Sequence, residues 1–195
     1  MTYEETKSKF IEEYQKYIKR EGSQEFLEFL KSSDFFTAPA STKYHAAYEG
    51  GLCQHSLSVF YELIRLLKAY PEIKVSGETA AICALLHDVC KIDFYTTEMR
   101  NVKENGTWVQ KPYYTVDEKF KFGGHGSKSV YLISKYIKLT DEEAVAINCH
   151  MGAWEDSKNY SVSGAYEQTK FAWLLHVADE SSTFIRGYKC YEMGT

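Results

Sequence analysis

The chain has 195 residues, 44% hydrophobic and 26% charged, which suits a globular domain with its own core. A net charge of −4 disfavours long nucleic acid as a partner, because the phosphate backbone calls for a basic surface. Five cysteines, an odd number with no C-x-x-C spacing, argue against a disulfide framework and for a reducing, cytoplasmic setting, and no signal peptide or membrane-spanning run is expected.

Thr2 and Glu5 have the spacing of a capping box, so a first helix is expected from Thr2, with Phe10, Ile11, Tyr14, Tyr17 and Ile18 on one face. Glu21-Gly22 breaks it, and a short second helix turns Phe26, Leu27 and Leu30 inward. Residues 32–51 read as irregular, punctuated by Pro39 and Gly50-Gly51. A long helix from about Leu52 to Ala69 carries His55 and stops at Pro71. The next, about Glu78 to Lys91, is apolar nearly all round and therefore buried, with His87, Asp88 and Lys91 at its end. Asn105-Gly106 marks a hairpin turn between β-prone segments, with room for a third strand. A helix follows from about His125 to Ile137. Thr140 and Glu143 open another that carries His150. A polar loop spans Gly152 to Gly164, and the last helix runs from about Glu167 to Arg186. On it Phe171, Leu174, Leu175, Ala178 and Ile185 point inward, and Asp179 interrupts that face.

His55, the pair His87-Asp88, and Asp179 thus fall on separate buried helices. Each buried polar group costs about 1–3 kcal/mol unless paired, and one shared cation would satisfy them all. Imidazole plus carboxylate is the ligand set of a divalent ion that stays Lewis-acidic; Fe, Mn, Ni, Co, Mg and Zn all suit it. Lys91 follows His87 by one turn and can point toward the same ion, or be a solvated lysine favoured by the helix dipole. Lys128, a turn after His125, is either a phosphate contact or a surface lysine. His45 either helps to bind a leaving group or simply sits in its loop. His176 is expected to be a core residue or to support the centre from outside rather than to bind the ion, and Cys53, Cys90 and Cys149 to be buried inert thiols rather than soft thiolate ligands. Glu49, Glu155, Asp156 and Glu180 are acidic neighbours, solvated by default.

Three stretches carry a family likeness: Gly51-Leu52-Cys53-Gln54-His55-Ser56, Leu85-Leu86-His87-Asp88-Val89-Cys90-Lys91, and Leu175-His176-Val177-Ala178-Asp179. In order and flanking residues they resemble the HD superfamily of metal-dependent phosphohydrolases. Residues 44–58 are also similar to the HD domain of bacterial 3′–5′ exoribonucleases, which carry a separate OB domain that finds no counterpart here. The resemblance implies an all-α helical bundle; the small β-hairpin insertion read at about residues 94–122 departs from its minimal pattern. The resemblance also implies a single domain over 1–195, with N-terminal helices (1–43) packed on an HD core (44–187). It further implies that His55, His87, Asp88 and Asp179 hold a first divalent ion. His125 and His150 would hold a second, bridged by Asp88, while Lys91 contacts substrate phosphate. The expected activity is phosphohydrolysis of a nucleotide or other small phosphate ester, with Asp88 and Lys91 as catalytic groups. Cleavage of short RNA or single-stranded DNA, and a non-catalytic nucleotide-sensing module, are the alternatives. Aromatics at 15% leave room for a homodimer interface.

Overall fold

The local signals that start the first helix are made as the sequence requires. Helix α1 (Tyr3–Tyr17) begins at Thr2, whose Oγ1 accepts the Glu5 N–H at 3.3 Å while the Glu5 carboxylate accepts the Thr2 N–H at 2.7 Å. This is seen in a computed structural model that describes residues 2–154 and 162–186. Helix α2 (Ser23–Ser32) buries Phe26, Leu27 and Leu30, and an irregular stretch leads to α3 (Gly51–Ala69). Helix α4 (Gly77–Leu86) is apolar on every side and buried along most of its length. Helix α3 packs against α1, α4 and α8 (Lys170–Ser181), and one hydrophobic cluster joins Phe10, Leu27, Leu57, Ile82, Ile147 and Phe171.

Strands β1 (Tyr95–Glu104) and β2 (Thr107–Val116) form an antiparallel ribbon in register from Tyr95 opposite Val116 to Glu104 opposite Thr107. Asn105 and Gly106, both at positive φ, make the turn. Among the described residues the sheet has two strands, without the third that the sequence left room for. The remaining helices are α5 (His125–Ser134), α6 (Asp141–Asn148) and α7 (Val162–Gln168). The fold is thus mostly helical with one small sheet.

Several boundaries differ from expectation, and the differences collect around the polar residues. Helix α4 ends at Leu86, not Lys91, and Val89–Lys91 form a tight 3-10 turn. Helix α5 stops at Ser134, short of Ile137, and His150 lies two residues beyond the end of α6. The expected polar loop contains a short turn at Gly152–Trp154 and the start of α7. The last long helix is interrupted at Thr169 and widens after Ser181 into a π-type turn over Ser182–Arg186. Ile185, expected to point inward, is 78% exposed because that widening rotates it out of the α8 face.

Two close backbone approaches bring the histidine-bearing segments together. A Cβ on Gly51 would stand 2.0 Å from the Ala46 carbonyl oxygen, so the loop holding His45 rests directly on the start of α3. A Cβ on Gly126 would stand 2.2 Å from the Asn148 carbonyl oxygen, which presses the start of α5 against the end of α6. Farther off, Arg20 reaches Glu143 through Nη1 at 2.6 Å and Nη2 at 2.9 Å, tying the N-terminal helices to α6. The Glu143 side chain is fully buried and also accepts the Thr140 N–H at 2.8 Å. Arg20→Met is expected to cost about 3–5 kcal/mol, since it strands a buried carboxylate. A urea titration monitored by circular dichroism checks this, and a loss under about 1 kcal/mol, the ordinary value of a surface pair, contradicts it.

Candidate metal centre

The two breaks after α4 and α6 share one cause. A helix leaves its last carbonyls without intrahelical N–H partners. His87 sits just past α4 with Nδ1 2.8 Å from the Ala84 oxygen, and His150 sits just past α6 with Nδ1 2.7 Å from the Ile147 oxygen. Both contacts reach back three residues, and both compete with the next helical hydrogen bond. A carbonyl can only accept, so each Nδ1 carries the proton and each Nε2 presents a lone pair. His55 enters from the second turn of α3, and Asp179 enters from α8.

These groups converge on Asp88, which lies in the turn after α4. Its Oδ2 is 3.4 Å from His87 Nε2 and 3.7 Å from His55 Nε2, and its Oδ1 is 3.6 Å from His150 Nε2. Asp179 Oδ1 lies 3.0 Å from His55 Nε2 and 4.0 Å from His87 Nε2. The shortest of these separations, between His55 and Asp179, is within hydrogen-bond distance. The Nε2 atoms of His55, His87 and His150 are all buried without a hydrogen-bond partner. Three orphaned lone pairs beside two carboxylates cost several kcal/mol unless a cation takes them up. Nitrogen and oxygen ligands at about 2.0–2.2 Å from one ion lie roughly 3.0–3.4 Å apart, and the observed spacings run from 3.0 Å to 4.0 Å, from within that range to slightly wider than it. Ligand atoms of His55, His87 and Asp179, and separately of His87, Asp88 and His150, lie within 4.8 Å of one another.

Electrostatics point the same way. Burial works against ionising Asp88, but the Lys91 ammonium, His87 and His150 outweigh it and hold the carboxyl well below its usual range. Asp179 is likewise held low, by His55, His87 and His150 against its burial. Burial pulls His55 down more than Asp179 lifts it. At His87 burial is outweighed by Asp88, and the pKa is raised. Burial, with His55 and Lys91 nearby, takes His45 down to about 4.

A pH dependence follows for the chelator-treated protein. Unfolded histidine takes up a proton near pH 6.5, whereas folded His45 refuses one until about 4. Its stabilising contribution is therefore complete above about pH 6.5 and lost as pH falls toward 4. His55 acts in the same direction, while His87, with a raised pKa, offsets part of the loss. Asp88 and Asp179 add a second loss at lower pH, below the unfolded carboxylate value of about 3.9. Denaturant titrations from pH 7.5 to 4 should show the first decline, and His45→Gln should flatten it. An unchanged slope in that variant contradicts the assignment.

The other anticipated groups are distributed as follows. Lys91 is buried, its Nζ 2.6 Å from Asp88 Oδ2. Lys128 is not a surface lysine: it is 4% exposed and paired with Glu118 at 2.9 Å. His45 lies tilted against His55 at 4.9 Å between ring centres, and its Nε2 is buried without a partner. His125 does not group with His150 among the described residues. Its Nδ1 is 3.3 Å from Cys90 Sγ, and it falls with Asp88 and Cys90 into a third cluster. His176 supports His150 from behind, its Nδ1 2.7 Å from the His150 carbonyl oxygen. Glu155, Asp156 and Cys190 lie outside the described residues. Tyr95 was not anticipated. It is half-buried beside Lys91 and donates its hydroxyl to the Ala40 carbonyl at 3.1 Å, fastening the ribbon to the His45 loop. In sequence it is one of 16 tyrosines with nothing to single it out.

The HD domain family matches residues 52–183. Ribonuclease Y of Mycoplasmoides gallisepticum is 28% identical over 143 residues, 71% of this chain and 21% of that protein. Dihydroneopterin 2',3'-cyclic phosphate phosphodiesterase of Methanocaldococcus jannaschii is 32% identical over 151 residues, 76% of this chain and 52% of that protein. The chain thus spans about half the length of one relative and about a fifth of the other. No solved structure matches. The matched span runs from the first turn of α3 past the end of α8 and contains His55, His87, Asp88, His125, His150 and Asp179, though not the His45 loop, and the chain belongs to the HD domain family.

Proposed function

We propose that this protein is a metal-dependent phosphohydrolase acting on a nucleotide or another small phosphate ester. The observation that carries the proposal is the set of three buried, unpartnered imidazole nitrogens arranged around Asp88 and Asp179. His55, His87, Asp88 and Asp179 would hold the first divalent ion, and His150 stands against the other oxygen of Asp88. Such an ion supplies Lewis acidity toward a phosphoryl oxygen and toward water.

The protein's own groups then have separable tasks. Asp88 presents one oxygen to each side of the centre. Lys91 gives one N–H to Asp88 and keeps two donors for a non-bridging phosphate oxygen. His45, neutral at pH 7, offers a hydrogen bond to the leaving oxygen. Lys128, neutralised by Glu118, would bind phosphate only on leaving that partner. A relative named as a cyclic phosphate phosphodiesterase supports phosphodiesters as substrates.

Hydrolysis of a panel of chromogenic phosphomonoesters, phosphodiesters and cyclic nucleotides with Mn, Co, Ni or Mg tests the proposal. Turnover of at least one class is expected. Stoichiometric metal binding without turnover of any class would overturn it in favour of a nucleotide-sensing module. Similarity to a ribonuclease favours a second reading, cleavage of short RNA or single-stranded DNA. Polymer binding through many phosphates weakens steeply with salt, so turnover insensitive to salt excludes it. Among the described residues no helix is long and apolar enough to cross a membrane.

A further inference from the structure

We propose that Cys90 is a metal ligand, forming with Asp88 and His125 a second, sulfur-containing cation position. This rests on the metal-centre reading above and departs from the expected second set of Asp88, His125 and His150. It also departs from the expectation that Cys90 is an inert thiol.

The geometry starts with the turn after α4. Because the helix stops at Leu86, residues 89–91 tighten into a 3-10 turn, and the Cys90 side chain swings to the Oδ1 side of Asp88. Its Sγ is 3.8 Å from that oxygen and 3.3 Å from His125 Nδ1. The three donor atoms all lie within 4.8 Å of one another. The Cys90 N–H donates to Ser129 Oγ at 3.1 Å, so α5, which carries His125, is locked to the turn that carries the cysteine. Phe94 covers His125 at 5.5 Å between ring centres.

Cys90 Sγ lies between a carboxylate oxygen to which its thiol donates and an imidazole nitrogen whose role follows its tautomer. A cation would satisfy all three donors at once. With metal–sulfur and metal–nitrogen bonds of about 2.3 and 2.0 Å, sulfur and nitrogen ligands of one ion lie roughly 3.5 Å apart, and the two observed separations bracket that value. Coordination releases the thiol proton to solvent, and no oxidation state changes. Asp88 would bridge the two positions, with His55, His87 and Asp179 on one side and Cys90 and His125 on the other. A soft sulfur donor favours Zn, Fe(II) or Co(II) over Mg at this position, whereas the all-nitrogen-and-oxygen position takes several cations.

The test is spectroscopic and uses the full chain, stripped of metal and held reduced, titrated with Co(II). Two equivalents should bind, and the second should bring in a near-ultraviolet thiolate-to-cobalt charge-transfer band. Cys90→Ser should abolish that band and weaken the second equivalent by more than the roughly 10- to 100-fold that loss of an outer hydrogen-bond partner costs. Cys90→Ala serves if the serine variant misfolds, and His125→Ala should weaken the same equivalent while sparing the first. Two equivalents without the band, a band that survives Cys90→Ser, or only one equivalent overturns the proposal and leaves the first position standing. If no cobalt binds at all, the metal-centre reading fails and takes this one with it.

Discussion

Asp88→Asn should lose metal and at least about a thousandfold in hydrolysis while keeping its helical circular dichroism. The amide preserves shape but removes the charge that faces His55, His87, His150 and Lys91 at 3.7, 3.4, 3.6 and 2.6 Å. Losing several kcal/mol of metal-borne stabilisation corresponds to that factor at about 1.4 kcal/mol per tenfold. Asparagine is the sharper test than alanine. Both variants take the counter-charge from the buried Lys91 ammonium, but asparagine keeps an oxygen that accepts its N–H, whereas Asp88→Ala removes that acceptor as well and opens a void, so folding loss confuses the chemistry more. Elemental analysis and turnover, measured on the same preparation, read the result. Activity retained within tenfold would remove Asp88 from the centre of the mechanism.

Lys91→Met is expected to separate binding of metal from use of it. The methionine fills a similar volume and takes away a cation beside Asp88, so metal content should hold or rise. Turnover should fall by about 100-fold or more, the usual loss when one donor to a developing negative charge is deleted. The fall should lie in kcat. Should metal and turnover disappear together, Lys91 is a positioning group for Asp88, to which its Nζ is bound in this structure.

The residues proposed for the centre were readable in order because each breaks an apolar pattern: His55 and Asp179 on helix faces that otherwise bury Leu and Phe, and His87-Asp88 after Ala84-Leu85-Leu86. The capping boxes at Thr2 and Thr140 and the Asn105-Gly106 turn were equally plain, since their signals are local. The extent of α4 was not. Its apolar run favours continuing the helix, whereas α4 ends at Leu86 and His87 turns its Nδ1 back to the Ala84 carbonyl, a side-chain choice that apolar periodicity does not report. The partner of His125 was hidden for the same reason. A helix continued through Lys91 would not carry Cys90 as this turn does, so the thiol's approach to Asp88 and His125 depends on a break that periodicity does not report. Lys128 looked like a surface residue because Glu118, ten positions earlier in a connecting loop, gives no sign that it will fold over it.

The imidazoles of His87 and His150 are suspended from carbonyls that the ends of α4 and α6 would leave spare in any case. Their aim is therefore set by the helical frame and not by whatever they grip, unlike small zinc modules that collapse when emptied. A protein built this way can surrender one cation and accept another without remaking its fold. The ion it works with is then decided by supply in the host as much as by the polypeptide.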